Sequence, residues 1–290
     1  MTNEKILNSN DDKWDSNITP SNRLLDLNIK ELWQYRDLLF LFVKKDIITV
    51  YKQTILGPIW FIIQPILTTF VFVILFSKMA GFDTGNVPPF LFYMISITLW
   101  SYFADTLNIT SKTFTDNANI FGKVYFPRLI LPLSKVFSGF IKFLIQFAFF
   151  IAFWLYYTFV AKSIIPNWYV LITPFLLLIM VTLGLGFGIL ITSLTTKYRD
   201  LTFLITFGVQ LLMYGTPVAY SLTDTKVEKY KNILLLNPLT SIFEAFKFAF
   251  FGKGEFNLFW LSYSVIFTLL LLIIGIIVFK NVEKRFIDVV

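Results

Sequence analysis

The apolar and polar positions of this chain fall into long blocks. Residues 1–28 read as a polar amino-terminal tail, whose first part has balanced charges and no periodicity. From Ile29 to Gln53 the pattern changes. Leu32, Trp33, Leu39, Val43, Ile47 and Val50 recur at three- and four-residue spacing, with Arg36, Asp37, Lys44, Lys45 and Asp46 between them. That spacing predicts an amphipathic helix over 29–56, lying in a membrane interface. A core-facing helix of a small cytoplasmic domain would show the same spacing, but too little other polar chain is present to build one.

Beyond it the chain alternates between apolar windows and short polar breaks. Crossing a hydrocarbon core of about 30 Å takes about 20 apolar residues. Spans are predicted at about 57–76, 90–108, 137–160 and 170–194, then from beyond Leu201 to about Ala219, and at about 258–279. The expected fold is all-α, a membrane domain of six helices over 57–280 with a cytoplasmic tail at 281–290. Gly57-Pro58 starts the first span, and Gln64-Pro65 puts a polar side chain and a kink inside it. In the fourth, Gly184, Gly186 and Gly188 let neighbouring backbones approach closely.

Two breaks stand out. Residues 105–135 are expected outside the membrane and contain NANIFGKVYFPRLILP (117–132), polar, then basic, then aromatic, with Pro127 and Pro132 punctuating it. Proline disfavours helix in the residue before it and lacks a backbone donor, so a short helix or turn is expected, presenting aromatic and basic groups to a partner. Between the fifth and sixth spans, NPLTSIFEAFKFAFFGKG is apolar enough to enter a membrane. Glu244, Lys247, Lys253 and Glu255 make it a poor span, and one or two short re-entrant or gating helices are expected.

Composition agrees. The chain is 56% hydrophobic and 15% charged, where soluble domains carry about 25% charge. The net charge of +7 does not indicate nucleic acid as a partner, because the basic residues flank the predicted spans, where they face anionic membrane lipids. Lys112, Lys123, Arg128, Lys135, Lys197 and Arg199 join the basic residues of both termini on one side. Both termini are therefore expected in the cytoplasm. The start of the chain lacks the apolar core of a signal peptide, so the first span is expected to serve as the insertion signal.

Cysteine and histidine are absent, which removes disulfides, thiolate metal sites and the commonest acid–base group. No phosphate-cradling glycine loop with lysine occurs. By these boundaries no span interior holds Asp or Glu, Asp105 falling near a cytoplasmic end, so an ion-driven carrier is not indicated. If this protein moves something, another chain supplies the energy. Aromatics with polar tips, among them Trp60, Trp100 and Tyr214, lie in or near the spans. They fit an aromatic belt at the headgroups or a wall on which sugar rings stack, and composition does not separate the two.

YKQTILGPIWFIIQP, NANIFGKVYFPRLILPLS, TTKYRDL, LNPLTSIFEAF and VEKRFIDVV occur in that order. Over about residues 30–290 the chain resembles the permease subunits of type-2 ABC exporters of lipid-linked polysaccharide, the O-antigen and teichoic-acid exporter family, and is closer to the O-antigen members. The resemblance implies a homodimer in a bacterial inner membrane, joined to two copies of a separate ATPase that carries the ATP and Mg, with no cofactor on this chain. It implies export of an undecaprenyl-diphosphate-linked polysaccharide. A coupling helix within Asn119–Arg128 would dock on the ATPase through Asn119, Phe121, Lys123, Tyr125, Phe126 and Arg128. Lys197, Arg199 and Asp200 would form a second contact. Trp60, Gln64, Trp100 and Tyr214 would line the polysaccharide path, and Asn237, Pro238 and Phe243 would belong to the outer gate. The rivals are a type-2 exporter of teichoic acid, lipid or drug, and a membrane scaffold without transport.

Overall fold

The computed structural model describes residues 29–53, 57–117, 120, 125–198 and 200–285. All regular elements among them are helical. α1 (Ile29–Gln34) and α2 (Arg36–Gln53) precede α3 (Trp60–Phe72), which runs on as a wider π-helical stretch over Val73–Met79. α4 (Pro89–Ser111) leads through a single turn, α5 (Thr113–Asp116), towards α6 (Ile130–Leu155), itself extended by a π-helical stretch over Tyr156–Val160. A 3₁₀ stretch, Trp168–Ile172, opens α7 (Thr173–Lys197), and α8 spans Leu201–Tyr214. Three short helices follow, α9 (Thr225–Glu228), α10 (Lys231–Leu235) and α11 (Pro238–Phe251), before α12 (Leu258–Arg285).

Five of these, α3, α4, α6, α7 and α12 with their extensions, are long and apolar enough to cross a membrane. The predicted fifth span is shorter than expected. α8 has 14 residues, about 21 Å at 1.5 Å per residue, against about 30 Å of hydrocarbon. The cause is local. Gly215 ends the helix, Pro217 has no N–H to continue it, Thr216 Oγ1 turns back to Leu212 O at 2.8 Å and Val218 N to Thr216 O at 2.6 Å.

The break at 105–135 is also narrower than expected. α4 continues to Ser111, and α6 already starts at Ile130, with Pro132 in its first turn, where no intrahelical N–H is required. Asp105 consequently lies inside a spanning helix, six residues before the end of α4, and is ion-paired with Lys142 of α6 at 2.6 Å. This corrects the expectation that no span holds a carboxylate. Two of these residues belong together across two helices, which neither segment alone reveals.

The core gathers around α4, most of which is buried, with Phe103, Phe143, Phe150, Phe243, Phe246 and Phe250 fully enclosed. α6 and α11 meet ring to ring, Phe150 on Phe250 at 5.2 Å edge-on. The glycines of α7 act as expected. A Cβ on Gly188 would lie 2.6 Å from Thr110 Cβ of α4, and one on Gly186 would lie 3.2 Å from Leu272 N of α12. α7 is thereby wedged between two helices at backbone distance. α3 and α8, by contrast, leave apolar faces open, including Leu67, Phe70, Phe203 and Phe207, as suits segments facing lipid or a second chain.

Candidate functional site

The connections divide the molecule into two ends. At the near end, α1 and α2 pack on the start of α6 and the segment before it. Asp46 accepts from Lys135 Nζ at 2.7 and 2.8 Å and from Ser138 Oγ at 3.2 Å. Leu32, Tyr35, Leu38, Leu39 and Phe42 close over Phe126, Ile130 and Leu131, the Phe42 and Phe126 rings 6.0 Å apart. Of the apolar stripe read from the sequence, Leu32 and Leu39 join this contact and Val43 is buried, whereas Trp33 is 68% exposed. Trp33, Phe40 and Leu41 remain exposed on the other side of the same helices.

This packing sorts the predicted coupling residues. Phe126 is buried and anchors the segment to α2, whereas its neighbour Tyr125 is 69% exposed. Arg128 is half-buried at the entry to α6. Asn119, Phe121, Lys123 and Arg199 lie outside the described residues. Lys197 closes α7, its side chain also outside them, and Asp200 is exposed at the start of α8. Alternation of direction between adjacent residues, with one ring locked inward, leaves the next one projecting.

The predicted wall residues do not all share a surface. Trp60, 45% exposed, and Gln64, also exposed, occupy the same face of α3 one turn apart. Tyr214 is 64% exposed at the end of α8, and its carbonyl accepts from the Tyr220 hydroxyl at 2.9 Å. Burial, and behind it the charge of Glu244, push the Tyr220 phenol up to about 12, so it stays a neutral donor at any physiological pH. Trp100 is different. It faces the core from α4 and packs on Phe103 at 5.8 Å, so it stands apart from the open face of α3. α4 is the central helix, and a ring at that register turns inward.

At the far end α11 is the keystone. Asn237 caps it, Oδ1 accepting from Leu239 N at 3.1 Å, while Nδ2 donates to Gly215 O at 2.9 Å and Thr216 Oγ1 at 3.0 Å. One side chain thus ties the start of α11 to the exit of α8. Pro238 sits in the first turn, and its carbonyl accepts from Ser264 Oγ at 2.8 Å. Phe243 is fully buried. Trp154 Nε1 donates to Phe250 O at 2.8 Å, joining the end of α6 to the end of α11.

Sequence reading named the charges of this helix but missed that two of them pair inside the protein. Glu244 and Lys247 are buried, and Lys247 Nζ donates to Glu244 Oε1 at 3.0 Å, Pro217 O at 2.6 Å and Tyr220 O at 3.1 Å. The ammonium lies 4.3 Å from the Phe92 ring centre. Burial pulls the Lys247 pKa below its ordinary value, and Glu244 opposes that. Gly254, at φ +113°, brings the following loop close, since a Cβ there would meet Glu244 Oε2 at 3.1 Å; Glu255 N donates to that oxygen at 3.2 Å. The i,i+3 spacing of the two charges was the available signal. Beside the pair, Thr84–Val87, Ser221, Thr223 and Lys253 surround a cavity of about 280 Å³.

The comparisons with known proteins come to the same region of sequence. The profile described as ABC-2 type transporter matches residues 37–251. The O-antigen export system permease protein RfbA of Klebsiella pneumoniae is 28% identical over 253 residues, which cover 87% of this chain and 95% of that protein. The Myxococcus xanthus protein of the same name is 26% identical over 224 residues, 77% of this chain and 84% of its relative.

Proposed function

This chain belongs to the ABC-2 type transporter family, and from that premise we propose that it is the membrane-spanning subunit of an ATP-driven exporter of undecaprenyl-diphosphate-linked, O-antigen-like polysaccharide. Two copies of the chain pair with two copies of a separate ATPase in a bacterial inner membrane, both termini in the cytoplasm. ATP and Mg are held by that partner, and this chain hydrolyses nothing. The Tyr125 segment is the observation that carries the reading. It presents an exposed aromatic ring on a backbone that the buried Phe126 and α2 hold rigid, which is what transmission of a push from outside requires.

In this arrangement α8 and the turns through Ala219 complete a sixth crossing, and α1–α2 lie at the cytoplasmic headgroups. α3 and α8 border the path with Trp60, Gln64 and Tyr214, while the Asn237–Phe251 segment, α11 with its cap, forms the outer gate. The resemblance of the chain to O-antigen permeases over most of its length favours a glycan over a drug or a simple lipid as cargo.

The test of the coupling segment is a mild-detergent pull-down of the tagged chain from its native membrane, followed by identification of the co-purifying proteins and an ATP hydrolysis assay. A stoichiometric ATPase is expected. Tyr125→Ala with Arg128→Glu is expected to cost more than about 2 kcal/mol of docking, roughly 30-fold in affinity, the loss typical of an interface anchor. A wild-type chain that brings down no ATPase while folded moves the scaffold reading to the front. The path makes a separate prediction: Trp60→Ala and Tyr214→Ala each lower export of surface polymer and leave the amount of co-purified ATPase unchanged. Normal polymer in both variants removes these rings from the path.

A further inference from the structure

Between α3, α4 and α6 lies a polar notch of about 50 Å³, lined by Gln64, Thr68, Ser101, Asp105, Lys142 and Gln146. It opens on the same face of α3 as Trp60, since Gln64 follows Trp60 by one turn. Its level follows from the helices: Gln64 is four residues inside the start of α3 and Asp105 six inside the end of α4, about 6 and 9 Å respectively. Both places fall within the spanning segments.

Three observations show that the notch is built to hold something. Asp105 and Lys142 pair at 2.6 Å, yet their side chains are still 40% and 29% exposed. An ion pair open to hydrocarbon costs several kcal/mol, and charged groups inside spans accordingly face a protein interior or a water-filled cavity. The open side of this notch therefore faces water or another chain, not lipid. Gln146, further, is 4% exposed as a whole residue and lines the notch. A glutamine amide offers two donors and an acceptor oxygen with two lone pairs to whatever fills the notch. Lys142 also lies 5.7 Å from the Phe61 ring centre and so touches α3 as well as α4, holding the mouth of the notch in place.

We infer that this notch is a hydroxyl-binding subsite of the transport path, taking sugar hydroxyls of the exported chain while Trp60 offers its ring to the sugar's C–H face. A carboxylate accepts, an ammonium donates, and the Gln64 and Gln146 amides and the Ser101 hydroxyl do both, which is the mixed set that vicinal hydroxyls need. The volume admits the hydroxyl arms of a ring and not the ring itself, so the subsite grips in passing and releases. The inference rests on the exporter reading for its cargo and on the partly exposed Asp105–Lys142 pair for its access to water.

The chain lacks cysteine, so Ser101→Cys creates a unique thiol. In native inner-membrane vesicles holding the assembled complex, a membrane-impermeant charged methanethiosulfonate is expected to label Ser101→Cys quickly. Leu269→Cys, on the exposed apolar side of α12, is the unlabelled control. Labelling is expected to slow severalfold in vesicles prepared while the host's polysaccharide synthesis runs, relative to vesicles in which it is blocked. Gln146→Leu is expected to reduce surface polymer severalfold while keeping dimer and ATPase co-purification, because it removes a polar group that lines the notch and keeps the side chain's bulk. An unlabelled Ser101→Cys, or a disulfide between two copies at that position, overturns the aqueous notch. Labelling indifferent to polymer synthesis, together with normal export by Gln146→Leu, overturns the sugar contact. Surface polymer that persists when the whole chain is deleted strikes the exporter reading instead, and leaves the labelling result standing.

Discussion

Lys247→Met is expected to destabilise the protein by about 3–5 kcal/mol, the usual cost of removing one member of a buried ion pair and stranding the other. Glu244 would keep a buried charge with the Glu255 amide as its remaining donor. The carbonyls of Pro217 and Tyr220 would lose theirs, and with them a tie between α11 and the exit of α8. The change should appear as a fall of roughly 10 °C or more in the unfolding midpoint of the detergent-solubilised chain, and as low yield in the membrane. The double change Glu244→Gln with Lys247→Met should recover much of the loss, since two buried neutral groups no longer pay for an unpaired charge. A single variant as stable as the parent would show that water reaches the pair. Because α11 is the element proposed as the outer gate, the double variant also asks whether the pair serves stability or movement. Unchanged stability with altered export would point to movement.

The second large effect concerns the glycines of α7. Gly188→Ala places a Cβ 2.6 Å from Thr110 Cβ, a distance that no rotamer change relieves because Thr110 Cβ is fixed to its own backbone. α4 and α7 must separate, at a cost of about 1–3 kcal/mol or more. Thr110→Gly in the same chain should restore part of it. Gly275→Ala makes the equivalent demand on the other side, at 2.9 Å from Gly186 O. The control is Gly208→Ala in α8, where nothing lies within 4 Å. There the gain in helix propensity, up to about 1 kcal/mol, is expected to leave stability unchanged or raised. Midpoints measured side by side in one detergent decide the matter. Equal effects at Gly188 and Gly208 would contradict the close approach of α4 and α7.

The class of fold was legible from the chain because the membrane acts as a solvent. Burying peptide groups in hydrocarbon forces helices, and the length of an apolar run reports the thickness to be crossed. Five spans, the small-residue face at Gly184–Gly188 and the poor span at Asn237–Gly252 could all be read from local pattern, and so could the motifs that carry the family resemblance. Pattern failed where helices meet. α8 stops at Tyr214 because Gly215 and Pro217 interrupt it, though hydropathy runs on to Ala219. Asp105 and Lys142 are 37 positions apart, and each looks like a charge near a helix end until α4 and α6 align them. Trp60 and Trp100 are alike in composition and context, yet one lies open on α3 and the other is enclosed by the core around α4. Tyr125 and Phe126 part in the same way, because Phe42 receives only one of the two rings. Hydropathy sums along one helix, whereas the direction of a side chain and the partner of a charge depend on which other helices lie beside it. That information belongs to packing across the bundle.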